Sequence, residues 1–80
     1  MIERRTAQRR RILKQGTLTF SGGGSADCTV RSISSNGARI EIENPVGLPK
    51  SFTLVIASDR FKRPCHAVWS SNQLIGVTFD

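Results

Sequence analysis

The 80-residue sequence contains no tyrosine, one tryptophan and one histidine, and these scarcities argue against catalysis. General-base catalysis by His66 would need a partner that orients the imidazole, and the six acidic residues are scattered along the chain. A domain of this size buries only about 60% of its extended-chain surface, which leaves no room for a deep cleft between two domains. We therefore expect a single domain that is not an enzyme.

Metal ligands and apolar runs are equally sparse. Cys28 and Cys65 lie 37 positions apart without a CxxC motif, and adding His66 gives three candidate ligands where a structural zinc site needs four. We expect both cysteines to be buried apolar residues, and we expect no metal or other cofactor. The longest stretch without a charged residue or histidine, residues 67–79, is too short to span a membrane, and the charged N-terminus lacks a signal region. The sequence thus predicts a cytoplasmic protein.

The excess positive charge is concentrated near the N-terminus. Residues 1–14 contain six of the 12 Lys and Arg residues against the single Glu3, a net charge of +5, whereas residues 15–80 carry +1. Five of those six cations are arginine, whose planar guanidinium binds phosphate in a bidentate manner and stacks on rings. Residues 1–14 therefore form a basic arm that is either simply solvated or holds an anion such as a nucleotide or nucleic acid.

Beyond the arm, in residues 15–80, apolar and polar side chains alternate with a period of two. Turn-forming residues such as those at 21–25 and 36–37 separate these segments. Six strands are predicted, at residues 16–20, 26–33, 38–43, 51–57, 60–69 and 74–79. Between a compact sandwich and a small barrel, we favour an all-β, six-stranded antiparallel β-barrel, because closure removes exposed strand edges. Trp69 alternates with Cys65 and Ala67 and is expected in the core.

Two short motifs are candidates for binding. Arg5 and Arg9 lie four positions apart, so in a helical turn or tight curl their guanidinium groups project to the same side and can close on one ligand. Residues 32–37 read Ser-Ile-Ser-Ser-Asn-Gly, in which a common hairpin dipeptide follows serines that can bond turn amides. A two-residue type I′ hairpin at this point predicts a positive φ at Gly37.

In this order and at this distance, the two motifs resemble those of the PilZ domain family, RxxxR followed by [D/N]xSxxG. Arg5 and Arg9 match the first motif, and Ser34 and Gly37 match the Ser and Gly of the second. The likeness covers nearly the whole chain. It implies a barrel with a flexible arm that binds the bacterial second messenger cyclic di-GMP and relays that state to a partner protein.

The resemblance also implies a role for each motif position. The arginines would grip phosphate and guanine, while Ser32, Ser34 and Gly37 would hold the ligand at the barrel surface. Ser32 departs from the family pattern, which has Asp or Asn there. A serine lacks the carboxylate that accepts hydrogen bonds from the guanine N1–H and N2–H groups, so a charge-assisted bond worth about 1.5–3 kcal/mol would be missing.

Two other functions remain open at this stage. A PilZ-like adaptor that has lost its ligand would act through protein–protein interaction alone. A small basic barrel could instead bind RNA or DNA, although four Phe, one Trp and no Tyr provide few rings on which bases could stack.

Replacing Arg5 and Arg9 together with alanine should abolish binding of cyclic di-GMP and leave the melting temperature almost unchanged. Exposed side chains away from special structural features contribute at most about 0.5 kcal/mol to stability. Calorimetric titration and thermal melting of the double variant measure the two effects. Normal binding by this variant would show that RxxxR does not carry over to these positions.

Overall fold

The computed structural model describes residues 10–80, which form a closed antiparallel β-barrel. Around the barrel the strands follow the order β1-β2-β3-β6-β5-β4. Their bounds are β1 (Arg10–Thr19), β2 (Ser25–Ile33), β3 (Gly37–Glu41), β4 (Ser51–Ile56), β5 (Phe61–Ser71) and β6 (Leu74–Phe79), with a 3-10 helix (Ala57–Asp59) between β4 and β5. The predicted fold class is confirmed, whereas Arg5 and Arg9 lie outside the described residues.

Strand β1 begins at Arg10, six residues before the predicted start. The extension is hidden in the sequence because residues 10–14, Arg-Arg-Ile-Leu-Lys, do not alternate between polar and apolar side chains, although the backbone of β1 still pairs with the long β2 strand there. Lys14, which the charge pattern assigned to the arm, forms an ion pair of 2.6 Å with Asp59. The hydrogen bond from Lys14 lowers the pKa of the Asp59 carboxyl below its usual value.

The core fills the barrel with side chains from alternate strand positions. The buried apolar residues are Leu18, Cys28, Val30, Ala38, Ile40, Ile42, Phe52, Leu54, Ile56, Cys65, Ile75, Val77 and Phe79. Both cysteines are free thiols in this core, as predicted, and burial raises the pKa of each to about 11. No helix within residues 10–80 is long and apolar enough to cross a membrane.

The turn between β2 and β3 differs from the predicted type I′ hairpin. Gly37 is the first residue of β3 and has no positive φ, so the prediction made for its backbone was wrong. The hydroxyl of Ser34 organises the turn instead: it accepts hydrogen bonds from the N–H groups of Asn36 (3.2 Å) and Gly37 (3.3 Å). The Ser34 N–H also donates to the Gly37 carbonyl at 2.8 Å, which closes the turn.

Gly37 is required here because β3 and β6 approach closely. A Cβ atom at this position would lie nearer to the backbone carbonyl oxygen of Val77 than the 3.0 Å that real Cβ atoms keep. The backbone of β6 cannot move aside as a flexible side chain can. The narrow gap between β3 and β6 therefore admits only glycine at position 37.

Replacing Gly37 with alanine should therefore destabilise the barrel by about 3 kcal/mol, the upper range for forcing atoms into a packed site. Gly22→Ala is the matched control, because a Cβ atom there meets nothing within 4 Å. Urea unfolding of both variants provides the comparison. Equal stability of the two would show that β3 and β6 can separate at little cost.

Candidate ligand-binding site on the outer face of the barrel

Backbone pairing aligns four residues in a row across the outer face of the barrel. Ser32 on β2 pairs with Arg39 on β3, Arg39 pairs with Gly76 on β6, and Gly76 pairs with Trp69 on β5. Cross-strand partners project from the same face of a sheet, so these side chains are neighbours. We call Ser32, Arg39, Gly76 and Trp69 the outer row.

Two irregularities in strand pairing produce the outer row. On β2 the register shifts between Val30 and Ser32, and on β5 it shifts between Ala67 and Trp69. Each shift inserts one extra residue opposite its partner strand, as a β-bulge does, and so re-aims the side chains that follow. Without these shifts the strict alternation of the strands would send different residues to this face.

A groove of about 680 Å³ opens beside the Ser32 end of the outer row. It is lined by Ile12, Leu13, Arg31, Ser32, Arg39, Glu41 and Leu74, which come from β1, β2, β3 and β6. Its floor is polar at Ser32, which is only 5% exposed, while Leu13 at its wall is 73% exposed. Arg31 bonds to Glu41 at 2.5 Å, so part of the charge in the groove is neutralised.

The turn that carries the second motif adjoins the other side of Arg39. A smaller depression of about 130 Å³ there is lined by Ser34, Gly37, Arg39, Trp69 and residues next to them in the three strands. Arg39 lines both depressions and joins them. The structure therefore brings Ser32, Ser34 and Gly37 to one region of the surface, while Arg5 and Arg9 lie outside the residues that it describes.

Trp69 occupies the surface and not the core, so the burial expected from its alternation with Cys65 was wrong. The bulge before Trp69 reverses the phase of the strand and leaves the indole 43% exposed. The ring lies over Gly76, where a Cβ atom would collide with the indole nitrogen. The guanidinium carbon of Arg39 is 5.9 Å from the ring centre, within the range of a cation–π contact.

Sequence reasoning assigned no binding role to Arg39 or Trp69. In the sequence, Arg39 alternates with Ile40 and shares the polar face of its predicted strand with Glu41 and Glu43, which is the pattern of a solvated face. The glycine at 76 is the available signal, since a glycine inside a strand often marks close approach of another group. It does not by itself identify the group that approaches.

The scan against protein families matches residues 3–80 to the PilZ domain. The chain belongs to the PilZ domain family. This family consists of binding and adaptor domains that are known for recognition of cyclic di-GMP. A search of curated proteins found no match to the chain.

Outside the outer row, His66 has an acidic partner that the sequence did not reveal. Its Nδ1 atom lies 2.6 Å from Asp80, whose backbone carbonyl also accepts a hydrogen bond from Arg63. This contact ties the end of β6 to β5, and neither His66 nor Asp80 lines the groove of the PilZ barrel. Among the described residues, no three His, Cys, Asp or Glu side chains are grouped so that they could hold a metal ion.

Replacing Gly76 with alanine should displace the indole of Trp69 and shift its fluorescence emission to longer wavelength as the ring becomes more hydrated. Trp69 is the only tryptophan in the chain, so the emission reports on this one ring. The cost in stability should be smaller than that of Gly37→Ala, because a side chain can move where a backbone carbonyl cannot. An unchanged emission maximum would show that the ring does not rest on Gly76 in solution.

Proposed function

We propose that this PilZ domain binds cyclic di-GMP at the outer row and relays the bound state to a partner protein, without catalysing a reaction. The observation that carries the proposal is the position of Ser32. It lies beside Arg39 at the floor of the groove and on the same surface as the Ser34–Gly37 turn. A ligand with two guanines and two phosphates matches a groove that is lined by apolar, hydroxyl and charged side chains.

The chemistry of the outer row suits guanine. An arginine fork can donate two hydrogen bonds to guanine O6 and N7, and a guanidinium plane can also stack on the base. Arg39 is the cation placed for this role. Arg31 is already paired with Glu41, and no ion pair involves Arg39 within residues 10–80.

The basic arm supplies the charge that the groove lacks. Arg5 and Arg9 would neutralise the ligand phosphates, and the repulsion among the three arginines that precede β1 would otherwise oppose compaction of this segment. Binding would then order the arm against the barrel near Ser32. A change of this kind presents a new surface to a partner protein.

A ligand-blind adaptor is the second candidate, and the geometry of the turn favours it. The Ser34 hydroxyl is used by the Asn36 and Gly37 amides, and Gly37 is required by the approach of β6. The turn thus explains these two motif positions without any ligand. An oligonucleotide-binding role has less support, because Trp69 is the one aromatic residue among the exposed large apolar residues of the described chain.

Calorimetric titration of the full chain with cyclic di-GMP tests the proposed function, with GTP and a short oligonucleotide as controls. Saturable binding of cyclic di-GMP alone supports the proposal. Absence of binding at millimolar ligand would favour the adaptor, and binding of the oligonucleotide alone would favour the nucleic-acid function.

Ser32→Asp should tighten binding of cyclic di-GMP about ten-fold, which corresponds to about 1.4 kcal/mol. The carboxylate would accept hydrogen bonds from the guanine edge, and the adjacent Arg39 would offset the cost of burying a charge. Parallel titrations at one salt concentration measure the change. Ser35→Asp is the matched control, because Ser35 is an exposed serine of the same turn. If Ser32→Asp bound more weakly than the unchanged protein, Ser32 would not face the guanine edge.

A further inference from the structure

Strand β5 is longer than β4, the strand that pairs with one of its edges. It has 11 residues, whereas its neighbour β4 has six and begins at Ser51. The ladder between them ends at the pair Ser51 and His66, followed by one bond of 2.8 Å from the Ala67 N–H to the Lys50 carbonyl. On its other edge β5 stays paired with β6 as far as Ser71. Within residues 10–80, residues 68–71 therefore have a strand neighbour on one side only.

The backbone of Ser70 points toward the vacated side. A two-residue turn joins Ser71 to Leu74, so Ser71 directs its N–H and C=O groups to β6. Successive residues of a strand direct these groups to opposite sides. The N–H and C=O groups of Ser70 thus face the position that β4 has left, and none of the backbone hydrogen bonds formed by loops and turns in residues 10–80 reaches residues 68–71.

A shallow apolar groove runs along this free edge. It has a volume of about 320 Å³ and lies between β5 and the loop of residues 44–50. Pro45, Leu48, Phe52, Val68, Trp69 and Ser70 are among its lining residues. Val68 is 56% exposed and Trp69 43% exposed, and contiguous exposed apolar surface of this kind marks interaction sites. We call this feature the β5 edge groove.

The charges around the β5 edge groove are positive. Among the described residues Lys50 is the one charged residue of its lining, and Arg39, which is outside the lining, lies 5.9 Å from the centre of the Trp69 ring. No carboxylate from residues 12–80 lines the groove. Within the described chain neither Lys50 nor Arg39 has an acidic partner, whereas Lys14 and Arg31 do.

We propose that the β5 edge groove binds an extended, acidic segment of a partner protein, which adds to β5 as a further strand. Backbone hydrogen bonds to Ser70 would fix the segment, as in other cases of strand addition. Alternate apolar side chains would enter the groove beside Val68 and Trp69, and acidic side chains would face Lys50 and Arg39. This site deepens the proposed function by naming the surface that meets the partner.

A second copy of the chain is a poorer occupant than an acidic segment. Two β5 edges could pair with each other, but the pairing would bring Lys50 and Arg39 of both copies to one interface. Like charges placed opposite each other across strands are destabilising. The basic N-terminal arm carries the same sign of charge and is disfavoured for the same reason.

The test uses a capped seven-residue peptide, Glu-Val-Asp-Ile-Glu-Val-Asp, titrated into the ¹⁵N-labelled full chain. We expect the largest amide shift changes at residues 68–71 and at Leu48 and Lys50. A peptide with lysine at each acidic position should bind at least about ten-fold more weakly. The acidic peptide with methylated backbone nitrogens should also lose binding, because it can no longer form strand hydrogen bonds.

Two charge reversals locate the contact. Lys50→Glu should weaken binding of the acidic peptide about five-fold, as expected when an attraction of about 1 kcal/mol is lost. Lys62→Glu is the matched control, because Lys62 is an exposed lysine of β5 at the end that remains paired with β4. It should change binding less than two-fold.

The proposal is overturned if the acidic peptide produces no shift changes at residues 68–71, if the lysine peptide binds equally well, or if both charge reversals act alike. Sedimentation of the protein alone tests the second copy, and a dimer broken by Val68→Glu would also overturn it. Titration of cyclic di-GMP into the Lys50→Glu variant distinguishes peptide binding from ligand binding. Lys50 does not line the Ser32 groove, so this variant should bind cyclic di-GMP as the unchanged protein does. If the protein binds the peptide but not cyclic di-GMP, the proposal for the β5 edge groove stands and the proposed ligand is wrong.

Discussion

The close pairing of β3 with β6 is the constraint on which the rest of the structure depends. These two strands join the β1–β2 side of the barrel to the β4–β5 side, and both strands carry a glycine where a side chain would collide. Gly37 faces backbone of β6, so its replacement would separate the strands. Gly76 faces the indole of Trp69, so it sets the position of that ring on the surface. Barrel closure and the shape of the outer row thus have the same origin.

The sequence predicted the number of strands and most of their bounds because period-two alternation follows directly from the geometry of a strand. The errors occur where that period is interrupted. One extra residue before Trp69 moved the indole from the core to the surface, and no residue type announces such a shift. The early start of β1 was missed because residues 10–14 do not alternate between polar and apolar side chains, and a register shift lies between Arg11 and Lys14.

The sequence also predicted only part of the candidate site, namely the residues that lie in one turn. Ser32, Ser34 and Gly37 are close in sequence, so their proximity in the fold follows from a single turn. Arg39 and Trp69 come together only through pairing across three strands, and their contact depends on the bulge in β5. The sequence pattern of any single strand therefore cannot predict that Arg39 and Trp69 are neighbours.

The two proposed binding surfaces share Trp69, which lines both the depression beside the motif turn and the β5 edge groove. A ligand that repositions Arg39 or the indole would change the affinity of the groove for a partner. By thermodynamic linkage the partner would change the affinity for the ligand by the same factor. Coupling between the two surfaces therefore needs no rearrangement of the core.

The β1–β4 pairing has a consequence for the order of folding. It consists of three pairs, Thr17 with Val55, Leu18 with Leu54 and Thr19 with Thr53, which are distant in sequence. The hairpins β1–β2, β2–β3, β4–β5 and β5–β6 join strands that follow each other, whereas this seam requires closure of a long loop for a small number of hydrogen bonds. The β3–β6 pairing also joins strands that are distant in sequence, but it has five residue pairs against the three of β1–β4. The β1–β4 seam is thus the natural last step of assembly, and an open, curled sheet is its natural precursor.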